Sequence, residues 1–216
     1  MITRLPKWIE LGAFFLAVLA GCVNSIGLLG FEHQAVSHLS GSVTQFGVGL
    51  LSFSNGTFHL LLIILSFLGG AMISGVLIEN TALKLGRHYG SALLIESVLL
   101  FLAMLALLDG SNSGHYFASA ACGLQNALIT TYSGAIVRTT HVTGVFTDLG
   151  LMLGAKLRGQ PFDRRKGILF LIIIVGFTLG GLMGAILYPA LHYLSLLVPA
   201  AMAFVLAVVY HIWVRS

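Results

Sequence analysis

Charge is what this chain has least of. Only 8% of its 216 residues are charged, 11 basic and 7 acidic, where an ordinary soluble domain carries about a quarter. That excludes a soluble globular domain and a solvated disordered chain. Cysteine is scarce too: Cys22 and Cys122 both fall in apolar runs, which excludes a disulfide scaffold and reads as small packed side chains. There are four prolines, and Pro189 and Pro199 flank the turn into the last apolar run, where proline costs little or kinks the helix. No His-Glu-x-x-His, P-loop or Cys/His metal spacing occurs. Ser37-His38 and Thr140-His141 are chain neighbours, which does not make a nucleophile and its base. The sequence therefore predicts no enzyme, no metal and no cofactor. A net charge of +4 is too small, and too divided among apolar runs, to track nucleic acid.

What is present is hydrophobic length: 57% of the residues are apolar. A helix needs about 20 such residues to cross a bilayer. Six runs reach or approach that: Ile9–Leu29, Thr57–Ile78, Ser91–Leu108, Tyr116–Val137, Gly167–Leu187 and Tyr193–Val214. Two shorter runs, Ser40–Phe53 and Thr143–Leu157, would make helices of about 21–23 Å at 1.5 Å per residue, short of the ~30 Å hydrocarbon core. They are predicted to be half-helices. Arg4 and Lys7 ahead of Leu19-Ala20-Gly21-Cys22 look like a lipoprotein leader. Glu10 interrupts that pattern, so no cleavage at Cys22 is expected.

Charge placement chooses the topology. With six spans and a cytoplasmic amino terminus, all 11 Lys and Arg lie on the inner side, and the outer segments carry only Glu32 and Asp109. Eight spans would move Lys84, Arg87 and Arg138 outside. The positive-inside rule prefers six, with both termini cytoplasmic in a bacterial inner membrane. The segment Lys156–Lys166 holds five basic residues and Asp163, a topology anchor at anionic headgroups.

The chain also repeats itself. Ser37 to Gly47 aligns with Thr140 to Gly150 at an offset of 103, with His38/His141, Gly41/Gly144, Thr44/Thr147 and Gly47/Gly150 identical. Gly21-x-x-Asn24 matches Gly123-x-x-Asn126, and Gly69-Gly70-x-Met72 matches Gly180-Gly181-x-Met183, at offsets of 102 and 111. These anchors keep their order, as two copies of one unit would. The expected fold is a single all-α polytopic membrane domain, residues 1–216, made of repeats 8–110 and 111–216. Each repeat has three transmembrane helices and a re-entrant half-helix after the first. Three spans per repeat make the two inverted. Two small-residue ladders, Ser66/Gly70/Ser74 and Gly176/Gly180/Gly184, predict close helix packing.

Polar side chains inside spans are costly unless paired or facing a cavity, and here they follow the repeat. Asn24 and the pair Gln125-Asn126 stand in the first span of each half. His38, Ser40 and Thr44, with His141, Thr143 and Thr147, stand at the half-helix starts. Ser40 and Thr143 read as N-caps, and Gly41 and Gly144 permit close backbone approach. Two helix N-termini facing the membrane centre suit an anion or a strong hydrogen-bond acceptor. Gly41, Thr44, Val48 and Leu51 share one helical face, as do Gly144, Thr147, Leu151 and Gly154. Arg138 either anchors the inner surface or faces the ligand. Asp148, with Arg138 or His141 as partner, and Glu96 are the candidates for proton or ion coupling. Glue between helices is the alternative reading for Asn24, Gln125, Asn126 and the histidines.

Ala20-Gly21-Cys22-Val23-Asn24-Ser25, His38-Leu39-Ser40-Gly41-Ser42, Gly123-Leu124-Gln125-Asn126-Ala127 and Arg138-Thr139-Thr140-His141-Val142-Thr143-Gly144 together resemble the YoaK-like family. This is a domain of unknown function in bacterial inner-membrane proteins with about six predicted spans. The resemblance covers nearly the whole chain. The family usually has Gly-x-x-Asp-Ala in the first span, where Asn24-Ser25 stand here. It has Thr-Gly-Asn at both half-helix starts, which read Ser40-Gly41-Ser42 and Thr143-Gly144-Val145 here. The resemblance implies a fold and no activity, and the missing first-span acid turns attention to Asp148 and Glu96.

These features predict a small secondary transporter that binds a small polar or anionic solute, or an ion, at mid-bilayer. A homo-oligomer is compatible with them. A channel of the same fold and a non-transporting membrane scaffold subunit are the rival readings. A channel predicts a polar path open at both ends, and a scaffold predicts central polar groups all bonded to one another.

Overall fold

A computed structural model describes residues 7–30, 39–52, 54–78, 88–132 and 140–215. His38 and Arg138 lie outside the described residues, as do Ser37 and Glu32. The described chain is all helix: α1 (Lys7–Gly30), α2 (Leu39–Gly49), α3 (Asn55–Leu77), α4 (Tyr89–Leu108), α5 (Ser113–Tyr132), α6 (Val142–Leu157), α7 (Arg164–Leu191) and α8 (Leu197–Arg215). Four stretches are long and apolar enough to cross a membrane: Glu10–Gly30, Asn55–Leu77, Tyr89–Leu108 and Arg164–Ile212. The last runs through both α7 and α8. At 20 residues α5 has the length, but it spends positions on His115, Ser119, Gln125 and Asn126, which lowers its apolarity. Large side chains such as Leu65, Leu68, Met72, Val76, Leu182, Ile186, Val205 and Val209 lie exposed along the long helices. A continuous apolar exterior of this kind marks contact with lipid.

Local chemistry sets the helix ends. Ser54 caps α3 in a capping box: its hydroxyl accepts from Thr57 N at 3.4 Å, and Thr57 Oγ1 accepts from Ser54 N at 3.4 Å. Thr57 Oγ1 also donates to the Gly49 carbonyl at 3.2 Å, tying the end of α2 to the start of α3. Asp163 caps α7, its carboxylate accepting from Arg165 N and Lys166 N, each at 3.1 Å. Gly110, at φ +73, closes α4 in the left-handed conformation that glycine adopts most readily.

The long helices pack as two parallel pairs, with α4 running antiparallel to both of its neighbours. Helix α1 lies along α7, α3 along α5, and α4 against both α5 and α8. Glycines make the close approaches. A Cβ on Gly21 would strike the Phe177 carbonyl, and one on Gly180 the Val18 carbonyl. In the other pair, Gly123 meets the Phe67 carbonyl and Gly70 the Ala120 carbonyl in the same way. These contacts match Gly70 to Gly180 and Phe67 to Phe177, an offset of 110 rather than the 111 read from the sequence. That register also aligns the two small-residue ladders.

Contacts sort the helix ends into two groups. Arg165 Nε meets Glu10 Oε1 at 3.5 Å, so α1 and α7 start together. Tyr89 packs on Tyr210 with centroids 5.0 Å apart, placing the start of α4 beside the end of α8. At the opposite end, Tyr193 donates to the Gly30 carbonyl at 2.9 Å, joining the end of α1 to the turn between α7 and α8. His59 and His115 join the starts of α3 and α5 there. Two apolar clusters stack between these ends. Leu16, Leu93, Leu124, Leu128, Phe170 and Ile173 belong to one, and Leu19, Ile26, Leu100, Cys122 and Leu196 to the other.

Candidate functional site

Helices α2 and α6 are the short elements. Their 11 and 16 residues span about 16 and 24 Å at 1.5 Å per residue, under the ~30 Å of a bilayer core. Helix α2 rests on α3, and α6 on α7. Both carry one internal device at equivalent positions: Thr44 Oγ1 donates to the Ser40 carbonyl at 2.8 Å, and Thr147 Oγ1 to the Thr143 carbonyl at 2.9 Å. Ser40 and Thr143 are therefore not caps. Both helices start earlier than expected, at Leu39 and Val142, and the N-cap of α6 is His141. The first backbone bond there is Val145 N to the His141 carbonyl, 3.3 Å, which leaves the N–H groups of Val142, Thr143 and Gly144 without helical acceptors. The His141 ring folds over Gly144 so closely that a Cβ would strike its Nδ1, whereas Gly41 has open space. Gly41, Thr44, Val48 and Leu51 are exposed, as are Thr143, Thr147, Leu151 and Gly154.

The central polar groups divide in two. Gln125, 1% exposed, donates from Nε2 to the Leu16 carbonyl at 2.8 Å and joins α5 to α1. Asn126 Oδ1 accepts from Thr140 Oγ1 at 2.8 Å. Thr140 is 2% exposed, so the approach to α6 is pinned inside the bundle. Asn126 lies six residues before the end of α5, about 9 Å along the axis. Asn24, the counterpart of Asn126, is buried in α1 and has interactions of its own. The structure thus joins Gln125, Asn126 and Thr140 to the framework. Ser40, Gly41, Thr44, Thr143 and Thr147 stay on the faces of the short helices.

The two candidate acids differ in setting. Glu96 is 1% exposed on α4, and its Oε2 has no hydrogen-bond partner. A buried carboxylate without a partner is far costlier than a buried carboxylic acid, so the site suits a group that binds a proton. Asp148 is exposed on α6, and among the described residues it forms no ion pair with His141.

One cluster escaped the sequence reading. His59 Nδ1 and the Tyr116 hydroxyl are 2.8 Å apart, and His59 Nε2 and His115 Nδ1 3.0 Å apart. The signal was available: both histidines sit in the opening turn or two of a long helix, but they have no counterparts in the repeat.

No curated protein and no solved structure matches the chain. Over residues 12–209 it matches one family, described as "Protein of unknown function (DUF1275)", and this membrane-type helical chain belongs to that family.

Proposed function

We propose that this protein is a small secondary transporter built as a 3+3 inverted repeat, carrying a small polar or anionic solute. The observation that carries the reading is the pair of opposed parallel helix pairs. The pair α1/α7 runs from one end of the bundle and α3/α5 from the other, each closed by equivalent glycines. Two inverted copies predict this arrangement, with α1 matching α5, α3 matching α7 and α4 matching α8. It gives six spans, α5 among them. Helix α1 ends and α3 begins at one end of the bundle, while α5 ends and α7 begins at the other. In this reading α2 and α6 each return to the side they left, and many transporters build their sites from such broken elements.

The solute would meet the free N–H groups at the short-helix starts, with Ser40, Thr44, His141, Thr143 and Thr147 as hydrogen-bonding neighbours. Asn24, Gln125 and Asn126 would hold the surrounding helices. Glu96, and Asp148 at the α6 start, would exchange the coupling proton. No covalent step is involved. The proposed setting is the bacterial inner membrane with both termini cytoplasmic, which places the Lys156–Lys166 segment at anionic headgroups.

A thermal-shift screen of small anions and metabolites would first identify a solute, since a ligand stabilises the state that binds it. Uptake of that solute into proteoliposomes should then saturate and show counterflow exchange. Flux that never saturates and lacks counterflow would make the protein a channel. Absence of any flux for a solute that binds would defeat the transport reading.

A further inference from the structure

The turn from α6 into α7 carries five of the chain's 11 basic residues: Lys156, Arg158, Arg164, Arg165 and Lys166. In open solvent such a run repels itself and extends. Here it is folded tightly. The Arg158 N–H donates to the carbonyls of Gly154 and Ala155 at 3.3 and 3.1 Å, and the Gln160 N–H to that of Ala155 at 3.1 Å. Gly159, at φ +83, reverses the chain between them, a conformation that glycine adopts without strain.

Three of the five cations are held in place. The Lys156 ammonium stands 5.5 Å over the Phe162 ring, and that of Lys166 5.3 Å over the Phe170 ring, both within reach of a cation–π attraction. Arg165 meets Glu10. The neighbouring acids are already used. Glu10 faces Arg165, and the Asp163 carboxylate takes the backbone N–H groups of Arg165 and Lys166. The start of α7 is therefore filled by Asp163, and any further anion must be met by side chains. Arg158 and Arg164 are exposed, one on each side of the turn, and neither side chain has a partner among the described residues.

Apolar surface begins directly beside them. Leu157, next to Arg158, is 90% exposed. Leu153 on α6, with Ile168 and Leu171 on α7, is exposed too. Bare leucine beside bare arginine suits an amphiphile, with its acyl chain on the one and its anionic head on the other. A guanidinium grips phosphate through paired N–H donors, where an ammonium acts as a point charge.

We propose that the α6–α7 turn binds the phosphate head of an anionic phospholipid. Arg158 and Arg164 are its ligands, and Lys156 and Lys166 are the fixed charges around it. This goes beyond the general attraction of a basic segment to a membrane, because it needs guanidinium geometry as well as charge. It does not depend on the transport reading.

Native mass spectrometry of the full chain, released from a non-ionic detergent, tests it. Phosphatidylglycerol and phosphatidylcholine with the same acyl chains are offered in turn. Phosphatidylglycerol should be retained about thirtyfold more tightly, the worth of two basic side chains at an anionic surface. Arg158→Gln/Arg164→Gln should erase that preference. Arg158→Lys/Arg164→Lys keeps the charge but loses the paired donors, and should still weaken retention about fivefold. Both pairs of changes fall on exposed side chains, where substitutions disturb folding little. Equal retention of the two lipids by the wild type overturns the proposal. A lysine variant as tight as the wild type reduces the attraction to diffuse charge and overturns the site. Inorganic phosphate at the lipid's concentration should displace little of it, having no chain to lay on Leu157. Full displacement would assign the turn to free phosphate and overturn the lipid as its ligand.

Discussion

Gly180 lies so close to the carbonyl oxygen of Val18 that a single methyl group has no room between α7 and α1. The obstacle is backbone, which cannot rotate aside as a flexible side chain can. Gly180→Ala should therefore push the helices apart and destabilise the fold by about 1–3 kcal/mol, the usual range for an overfilled interface. Gly70→Ala, which faces the Ala120 carbonyl, should cost a similar amount. Gly69→Ala is the control, since nothing lies within 4 Å of its added Cβ. Thermal unfolding in one detergent separates the three; equal midpoints for Gly69→Ala and Gly180→Ala would contradict the packing.

The bond from Thr140 to Asn126 is the one described link that pins the approach to α6 within the bundle. Thr140→Val keeps the shape and removes the donor, leaving the half-buried Asn126 Oδ1 without its partner. The expected cost is about 1–3 kcal/mol, with Thr140→Ser close to wild type. A double-mutant cycle of Thr140→Val with Asn126→Ala should show a coupling of about 0.5–3 kcal/mol. Strict additivity would mean that the bond contributes nothing.

Much of this architecture was legible because membrane constraints are blunt. Hydrophobic length placed the six long helices within a few residues wherever their ends are described, Val137 lying outside the described residues, and the two short runs emerged as short helices. The spacing of Ser66, Gly70, Ser74 and of Gly176, Gly180, Gly184 announced close packing. It could not say which helices meet, because a small-residue ladder has no partner written into it. The offset near Gly69-Gly70 slipped by one for a related reason: with adjacent glycines in both copies, only the Phe67 and Phe177 carbonyls fix the register. The caps at Ser40 and Thr143 were misread because a hydroxyl at a helix start can instead sit in the first turn, its carbonyl taking a bond from the threonine four residues on. His59 and His115 were passed over because they are 56 residues apart and only the α3–α5 pairing brings them together.

Asp163 stands alone as the side-chain cap of the longest helix, accepting from two backbone N–H groups. Asp163→Ala should lower stability by about 1 kcal/mol, the usual value of an N-cap, and Asp163→Ser should recover most of it. The Arg165–Glu10 contact survives both changes, so the loss reports on the cap. Unfolding midpoints of the two variants measured side by side check this, and an Asp163→Ser variant as weak as Asp163→Ala would assign the effect to charge.

Glu96 is buried on α4 beside Ser97, with one oxygen unpartnered. Packing alone gives no reason for an acid there, since leucine would fill the position at no electrostatic cost. Glu96→Gln preserves the size and abolishes the proton equilibrium. Its folding stability should stay within about 1 kcal/mol of wild type, because one unmatched polar group replaces another. If the carboxyl carries the coupling proton, uptake driven by a pH gradient should disappear in Glu96→Gln while counterflow exchange at equal pH persists. Asp148→Asn, altering an exposed residue, should leave stability unchanged and serves as the comparison. Uptake that still follows the pH gradient in both variants would remove these acids from the coupling step, and the buried carboxyl would then need another explanation.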